Sequence, residues 1–255
     1  MMLLESDKMN YSITINGIDV DATYSNKSIK EIFIPLLEHL TALQKEKGRR
    51  ILALLAAPPG AGKSTLSSFL QKLSEDQEQL FDIQAIGMDG FHRRQEYLIS
   101  HTTIRDGQEI RMVDIKGAPI TFDLDGLKKK IEMVLSGGSI GWPSYDRHLH
   151  NPVEDAIIVK KDIVLLEGNY LLLDEEGWRD LKDLADYTIF VSADEDMLRE
   201  RLIDRKAKSG NSREKAEKFV DYSDMANVRL CLNKSLPADL DLFIDPDGDF
   251  CKRKP

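Results

Sequence analysis

The chain has 255 residues, 42% of them hydrophobic and 31% charged, a balance typical of one soluble α/β domain with a substantial core. Its 35 lysines and arginines are outnumbered by 44 acidic residues, and a net charge of −9 without a long basic stripe argues against nucleic acid as a partner. The opening sequence MMLLESDK is too short and too acidic for a secretory signal, and the longest apolar run is too short to cross a bilayer. We therefore expect a cytoplasmic protein with no membrane partner.

The N-terminal part of the chain predicts a hairpin followed by a helix. Residues 11–24 alternate apolar and polar side chains around Asn16-Gly17, a strong signal for a two-residue turn between antiparallel strands. Residues 28–47 then carry apolar side chains at helical spacing, and Pro35 among them either kinks the helix or marks its true start. We expect this segment to pack on the core as an extension, not as a separate domain.

Strands and helices alternate along the rest of the chain, as is typical of a parallel sheet with helices on both faces. The predicted strands are 51–57, 82–88, 162–167, 187–191 and 241–245, and the predicted helices are 62–75, 123–136, 176–184, 194–208 and 212–221. The sequence thus predicts one α/β domain over residues 1–255, with the N-terminal extension at 1–48 and a polar, substrate-facing insertion at about 90–150.

A glycine-rich turn after the first of these strands has the composition of a phosphate-binding loop. The apolar run that ends at Ala57 leads into Gly60, Gly62, Lys63 and Ser64, and a helix beginning near Gly62 would direct its free N–H groups at an anion. In the pattern G-x-x-x-x-G-K-[ST], the lysine reaches the β- and γ-phosphates of ATP and the hydroxyl ligates Mg²⁺. Ala57 replaces the first glycine of the pattern, and the alternative is a glycine-rich turn before an ordinary helix. The predicted ATP-binding residues of the loop are Pro59, Gly60, Ala61, Gly62, Lys63, Ser64 and Thr65.

Two acidic residues follow later strands. Asp89 comes directly after the strand 82–88, and ligands of open parallel sheets bind beyond the carboxyl ends of the strands. A carboxylate there can accept the proton of an attacking hydroxyl or orient that hydroxyl, although an aspartate that caps a turn is an equal alternative. Glu167 ends the strand 162–167, where a carboxylate supports Mg²⁺ directly or through water. A solvent-exposed glutamate is the weaker alternative, because Gly168 follows and lets another chain or a ligand approach.

Two further segments have polar groups suited to ligands. The segment 142–150 concentrates aromatic, acidic and imidazole groups that suit a polar small molecule, although such a loop is often just polar surface. In the helix 194–208, Ser192 and Glu195 predict a capping box. Arg201 and Arg205 share one face of this helix and could clamp transferred phosphate, as lid residues do. The alternative is a surface helix whose arginines pair with its own acidic residues.

Several motifs together resemble a known family. The phosphate loop is followed in order by Met88-Asp89-Gly90-Phe91-His92, Lys116-Gly117-Ala118-Pro119-Ile120-Thr121-Phe122-Asp123, Tyr145-Asp146-Arg147 through His150, and Glu167-Gly168-Asn169-Tyr170. Over about residues 30–245 the chain resembles the P-loop kinases of the uridine kinase, phosphoribulokinase and bacterial pantothenate kinase superfamily, in particular their nucleoside/nucleotide kinase-like branch. The resemblance implies a three-layer P-loop NTPase fold with ATP and Mg²⁺ as cofactors.

The resemblance also implies roles for individual residues. Asp89 and Lys63 would be catalytic, Ser64 and Glu167 would lie at the metal, and Arg201 and Arg205 would contact ATP from a lid at about 194–215. Uridine kinases hold the nucleoside with a tyrosine and a histidine five positions apart, a spacing that Tyr145 and His150 reproduce. The substrate-binding set is therefore predicted to be Asp89, His92, Lys116, Tyr145, Arg147 and His150.

The favoured hypothesis is a kinase that moves the γ-phosphoryl group of ATP to a hydroxyl of a nucleoside, a sugar or a pantothenate-like alcohol. The first alternative is the same chemistry on a phosphorylated or acidic acceptor, with extra positive charge from Arg93, Arg94 and Lys116. The second is a regulator that binds ATP and signals without transferring phosphate. The sequence leaves the oligomeric state open, with a homodimer as one alternative.

Overall fold

A computed structural model describes residues 8–15 and 18–253 of the chain. The strands in these residues are β1 (Lys8–Ile15), β2 (Ile18–Ser25), β3 (Ile51–Ala56), β4 (Ile83–Gly87), β5 (Thr102–Arg105), β6 (Gln108–Arg111), β7 (Ile140–Asp146), β8 (Asn151–Val159), β9 (Ile163–Gly168), β10 (Tyr187–Ala193), β11 (Leu240–Ile244) and β12 (Phe250–Lys252). The α-helices are α1 (Asn26–Ser28), α2 (Ile34–Lys47), α3 (Lys63–Glu75), α4 (Gln95–Ser100), α5 (Leu124–Leu135), α6 (Glu195–Lys208), α7 (Arg213–Phe219) and α8 (Met225–Lys234). In this part of the chain, no helix is long and apolar enough to cross a membrane.

The central sheet has six strands in the order β12-β11-β10-β3-β9-β4. All of its neighbouring strands pair in parallel except β12, which runs antiparallel to β11. Side chains of a strand alternate between the two faces of a sheet. In β3, Ile51, Ala53 and Leu55 belong to one apolar cluster, and the intervening Leu52 and Leu54 belong to the other. Apolar layers therefore cover both faces, which confirms the predicted three-layer α/β fold.

The N-terminal hairpin and helix are present as predicted. β1 pairs with β2 over its full length, whereas the predicted turn at Asn16-Gly17 lies outside the described residues. One continuous helical stretch follows, in which α1 leads through the π-helical turn Ile29–Phe33 into α2, with Pro35 in the first turn of α2. Proline is tolerated there because the first N–H groups of a helix have no intrahelical partner.

An aromatic cluster connects this extension to the opposite end of the chain. Tyr24 stacks on Phe69 of α3 with ring centroids 4.2 Å apart, and Phe33 meets Phe250 of β12 edge to face at 5.1 Å. The backbone N–H of Phe250 also donates a hydrogen bond of 3.1 Å to the Ser28 hydroxyl. The extension is thus packed on the domain and does not stand apart from it.

Two predicted segments were wrong, and the predicted helix 212–221 ends as an α-helix two residues early. The helix predicted at 176–184 is a 3₁₀ segment, Arg179–Leu184, and the helix predicted at 212–221 gives way at Val220–Asp224 to a π-helical turn that leads into the unpredicted α8. The segment 142–150 is not a loop but most of a β-hairpin, formed by β7 and β8. A register shift between Trp142 and Ser144 breaks the alternation by which a strand would be recognised in the sequence.

Candidate active site

The glycine-rich turn connects the central strand β3 to helix α3. Gly60 and Gly62 adopt φ angles of 85° and 80°, in the left-handed region that favours glycine. A Cβ atom at Gly60 would lie 3.1 Å from the Leu198 carbonyl oxygen and 3.1 Å from Leu202 Cγ, so helix α6 packs closely on the turn. No side chain caps the start of α3 at Lys63. The N–H groups of its first turn, together with the helix dipole, therefore form a site suited to phosphate.

Glu167 meets this turn from the neighbouring strand β9. The Ser64 hydroxyl donates a hydrogen bond of 2.7 Å to Glu167 Oε1. Burial, reinforced by the charge of Asp89, raises the pKa of Glu167 to about 7, against the opposing effects of Lys63 and of the Ser64 hydrogen bond. The structure therefore brings the turn residues Lys63 and Ser64 close to the strand-end acids Asp89 and Glu167.

Asp89 lies in a 3₁₀ turn, Met88–Phe91, directly after β4. It lines a cleft of about 230 Å³ together with Ser64 and Glu167, so one acid and the phosphate-binding turn share a cavity. The cleft continues along α3 past Ser67, Ser68 and Gln71, and its opposite side includes Pro143, Ser144 and Tyr145 of β7. A ligand in this cleft could therefore contact Asp89 at one end and hydroxyl, amide and aromatic groups beyond it.

His92 belongs to a second, separate cleft. This cleft, of about 390 Å³, is also lined by Arg93 and Arg94. The two clefts meet at Gly90, where a Cβ atom would overlap the carbonyl oxygen of Pro143. The His92 ring stacks on Phe122 with centroids 4.0 Å apart, its Nδ1 atom is buried without a hydrogen-bond partner, and burial lowers its pKa to about 4. His92 thus lines the second cleft, while its ring also meets Tyr145 of the first cleft edge to face at 5.1 Å and lies near the charge of Asp89.

Lys116 connects the other predicted substrate-binding residues. Its Nζ donates hydrogen bonds to Gln95 Oε1 at 2.8 Å and to the His150 carbonyl oxygen at 3.1 Å, and it lies 4.9 Å from the centre of the Tyr145 ring. Burial lowers the pKa of Lys116. Arg147 and His150 are exposed at the end of the β7–β8 hairpin. Of the predicted set, Asp89 and Tyr145 line the first cleft. Lys116 and the hairpin end lie at its margin.

Helix α6 carries the two predicted lid arginines. Burial lowers the pKa of both Arg201 and Arg205, yet both side chains retain substantial exposed surface. Asp224 and Asp89 are near enough to raise the pKa of Arg205 against this effect.

The acidic residues of α6 have other partners. Glu200 and Asp204 form ion pairs with Arg213, at 2.7 and 3.3 Å. Within the described residues, neither Arg201 nor Arg205 forms an ion pair with a carboxylate. The alternative of an internally salt-bridged helix is therefore wrong for these two arginines, which keep their charge available to an anion.

The predicted capping box of α6 was wrong. The helix is capped by Asp194, whose carboxylate accepts a hydrogen bond of 2.9 Å from the Asp196 N–H. Ser192 lies earlier, in β10, and its buried hydroxyl donates to the Leu242 carbonyl oxygen at 3.1 Å. Because β10 extends to Ala193, the serine is a strand residue and cannot reach the helix.

The sequence analysis missed Asp224, a largely enclosed carboxylate in the π-helical turn before α8. Burial raises its pKa, and the charges of Arg205 and Lys206 oppose that effect. Its place in the sequence gave no signal, because the turn that contains it interrupts the helical period. Gly90 was noted only as part of a motif, although its lack of a side chain is what brings Asp89 against β7.

The residues at the phosphate-binding turn fit a magnesium ion. Within the described residues, no three His, Cys, Asp or Glu side chains cluster so that they could hold a metal. Mg²⁺ in phosphoryl-transfer sites is commonly bound by one or two protein groups together with phosphates and waters. The Ser64 hydroxyl and the Glu167 carboxylate, which are in contact beside the turn, match that donor set.

A parallel sheet whose central strand ends in a glycine-rich phosphate-binding turn, with an acid from each of two further strands beside it, defines a P-loop phosphotransferase. Residues 52–233 match the phosphoribulokinase/uridine kinase family, so the chain belongs to this family and is a small-molecule kinase. It is 40% identical over 243 residues to the uncharacterized protein YggC of Escherichia coli strain K12, with 95% of this chain and 98% of YggC covered.

Two further proteins extend the comparison. A uridine kinase of Clostridium perfringens is 30% identical over 167 residues, which cover 65% of this chain and 71% of that enzyme. The crystal structure of a protein proposed to be a fructose transport system kinase, from Silicibacter sp. TM1040, superimposes with a TM-score of 0.70 at 31% identity. That superposition covers 80% of this chain and 98% of the other. These relatives support ATP-dependent phosphoryl transfer to the alcohol group of a small molecule.

Proposed function

We propose that the chain transfers the γ-phosphoryl group of ATP to a hydroxyl of a nucleoside, a sugar or a pantothenate-like alcohol bound in the first cleft. The observation that carries the proposal is that Asp89 shares this cleft with Ser64 and Glu167 at the phosphate-binding turn. A hydroxyl next to Asp89 would therefore lie beside the site where a terminal phosphate is held. Phosphoryl transfer needs positioning and charge stabilisation more than covalent help, and this arrangement supplies both.

Each group has a role in this proposal. The Asp89 carboxylate accepts a hydrogen bond from the acceptor hydroxyl, orients its oxygen and takes its proton as the new bond to the γ-phosphorus forms. The bond from that phosphorus to the β–γ bridging oxygen breaks, and ADP leaves. Lys63 and the N–H groups at the start of α3 hold the phosphates, and Ser64 and Glu167 would hold Mg²⁺. When bound, Mg²⁺ neutralises negative charge on the phosphate oxygens. Arg201 and Arg205 of α6, as a lid, add positive charge that stays free of carboxylate partners.

The lining of the cleft favours an uncharged acceptor. Its described residues include two carboxylates and no lysine or arginine, and an anionic acceptor would be repelled there. Of the charges invoked for a phosphorylated acceptor, Arg93 and Arg94 line the second cleft, across the contact between Gly90 and Pro143. We therefore rank a neutral nucleoside or sugar above pantothenate or a phosphorylated compound.

A regulator without transferase activity is not supported by a specific observation. Such a protein needs a nucleotide site but has no use for an acid in the same cleft as the terminal phosphate. The placement of Asp89 therefore argues for catalysis.

The test uses ATP with uridine, D-fructose and pantothenate, and detects phosphorylated product by mass. We expect product with at least one of the neutral compounds. Asp89→Asn should lower kcat by about 10³-fold and change ATP affinity by no more than about threefold, because the lost group acts in the transition state. Asp125→Asn, which alters an exposed acid of α5 remote from the cleft, is the control and should behave as wild type.

Two results would count against the proposal. If Asp89→Asn kept most of the activity, the assignment of the base would be wrong. If ATP bound but none of the three compounds were phosphorylated, the acceptor classes proposed here would be wrong.

A further inference from the structure

Two hairpins contribute to the walls of the first cleft. The β7–β8 hairpin contributes Ser144, Tyr145 and Ile157. The N-terminal hairpin β1–β2 contributes Ile13 and Thr14 to the same cavity. The match to the family begins only at residue 52, so the N-terminal hairpin is an addition outside the matched region.

The N-terminal hairpin is fixed to α3, the helix that follows the phosphate-binding turn. The Tyr11 hydroxyl forms a hydrogen bond of 2.9 Å with the Ser68 hydroxyl, and the Tyr11 ring meets Phe69 edge to face at 5.3 Å. Tyr24 of β2 stacks on the same phenylalanine. Since Ser68 and Phe69 belong to α3, the helix that begins at Lys63, one rigid element fixes both the phosphate site and the hairpin.

We propose that Ile13 is a specificity-determining residue, which closes the acceptor cleft on the side of α3 and selects the acceptor beyond its reacting hydroxyl. The inference rests on the proposed function, because it takes this cleft to be the acceptor site. It gives the N-terminal hairpin a role in substrate choice that the family core, residues 52–233, does not supply.

The chemistry of the Ile13 side chain defines what it selects. Side chains of a strand alternate between its two faces, so Thr14 points to the face opposite to Ile13, where its hydroxyl donates a hydrogen bond of 2.6 Å to Asp19 Oδ1. Ile13 shares its face with Tyr11, which packs on α3, and offers an apolar surface there. The matching ligand is a neutral compound that presents an apolar face, as a nucleoside does.

Kinetics with a bulky substitution test the role in selection. Ile13→Trp fills the cleft and should raise the KM of the acceptor by about tenfold or more, because a misplaced acceptor loses its alignment, and leave the KM of ATP within about twofold. The probe is whichever of uridine, D-fructose and pantothenate gives product with the wild type. Asn10→Trp is the matched control, since Asn10 lies exposed on the same strand and outside the cleft. Ile13→Ala should raise the same KM through lost contact, and it serves if the tryptophan variant does not fold.

A second measurement tests the wall without any acceptor. In a Cys251→Ser background, Ile13→Cys combined with Ser144→Cys places one thiol on each hairpin, while Cys231 is buried. A short bifunctional methanethiosulfonate should join these two thiols within one chain, as detected by intact mass. Asn10→Cys combined with Ser144→Cys should not be joined.

The outcomes separate the two proposals. Absence of the cross-link, or an acceptor KM in Ile13→Trp equal to that of Asn10→Trp, would overturn the role of the hairpin and leave the kinase proposal intact. If the wild type phosphorylates none of the three compounds, the proposed acceptor classes fail. The cross-link then still decides whether the hairpin forms the wall.

Discussion

The cleft has two sides that are built from different parts of the fold. The phosphate-loop side consists of Ser64 and Glu167, which line the cleft at the start of α3 and the end of β9, and it adjoins the turn from Gly60 to Lys63. The hairpin side consists of the inner surfaces of β1–β2 and β7–β8, neither of which joins the central sheet. The core of the fold therefore fixes one side, and accessory elements packed on the core shape the other.

This difference indicates which side of the site serves phosphate binding and which serves acceptor binding. The ends of buried parallel strands can hold a phosphate group in only a few ways, because every strand is paired on both sides or covered by helices. Accessory hairpins can change in length and side chains without disturbing the core. The phosphate-loop side can therefore carry the chemistry that is common to a family, and the hairpin side can determine which acceptor binds.

The largest effect should come from removing the charge of the phosphate-loop side. Lys63→Ala should weaken ATP binding by about tenfold and lower kcat by about 10²-fold or more, because the lysine contacts the phosphates in both the ground state and the transition state. Calorimetric titration with ATP and steady-state kinetics measure the two effects. Lys72→Ala is the control, since Lys72 is exposed on the same helix and paired with Asp76. Equal behaviour of the two variants would contradict the division between the sides.

An intermediate effect should come from disturbing the contact between the turn that carries Asp89 and strand β7 of the hairpin side. Gly90→Ala places a methyl group on the Pro143 carbonyl oxygen, and we expect a loss of about 2–3 kcal/mol in the free energy of unfolding, since backbone must move. The acceptor KM should rise more than the KM of ATP, because the turn carrying Asp89 shifts against β7. Urea unfolding and kinetics provide the measurements. Gly138→Ala has open space and only a positive φ to strain, so it should cost about 1 kcal/mol.

The smallest effect should be on the pH dependence of the free energy of unfolding. Glu167 and His92, on either side of the turn that carries Asp89, should change it in opposite directions. The pKa of Glu167 is raised from 4.5 to about 7, so its contribution to stability is complete below pH 4.5 and is lost as the pH rises toward 7. The pKa of His92 is lowered from 6.5 to about 4, so its contribution is complete above pH 6.5 and is lost as the pH falls toward 4.

Two variants separate these contributions. Between pH 4.5 and 6.5, the free energy of unfolding of Glu167→Gln should change by about 2 kcal/mol more in the upward direction than that of the wild type. Over the same range, the free energy of unfolding of His92→Gln should rise by about 2 kcal/mol less than that of the wild type. Urea unfolding at several pH values measures the slopes. Parallel curves for the three proteins would show that neither group titrates differently on folding.

The same division explains what the sequence could predict. The phosphate-loop side follows from local patterns, because an apolar strand, a glycine-rich turn and the end of a helix are contiguous from Ile51 to Thr65. Asp89 and Glu167 were found because strand ends in a parallel sheet share one edge. The five parallel strands of the central sheet were accordingly predicted to within two residues, whereas β12 was not predicted.

The hairpin side could not be predicted in the same way. The bulge between Trp142 and Ser144 interrupts the alternation of side chains expected of a strand. The sequence of β7 therefore gave no strand signal and was interpreted as a loop. That Ile13 and Ser144 line one cleft depends on packing between segments about 130 residues apart, to which no local pattern refers. Helix α8 was missed for a related reason, since the π-helical turn before it shifts the helical phase.

The hydrogen bond between Phe250 and Ser28 joins residues 222 positions apart, and its consequence concerns biosynthesis. A ribosome releases a chain from its N-terminus onward, and a contact over such a long separation must wait for the later residue to be made. Ser28 and its aromatic neighbours emerge early, yet their partner in β12 is translated among the last residues described. A segment translated before the rest of the domain is thus among the last to become fully packed, and a nascent chain stalled before residue 250 would carry an exposed aromatic surface.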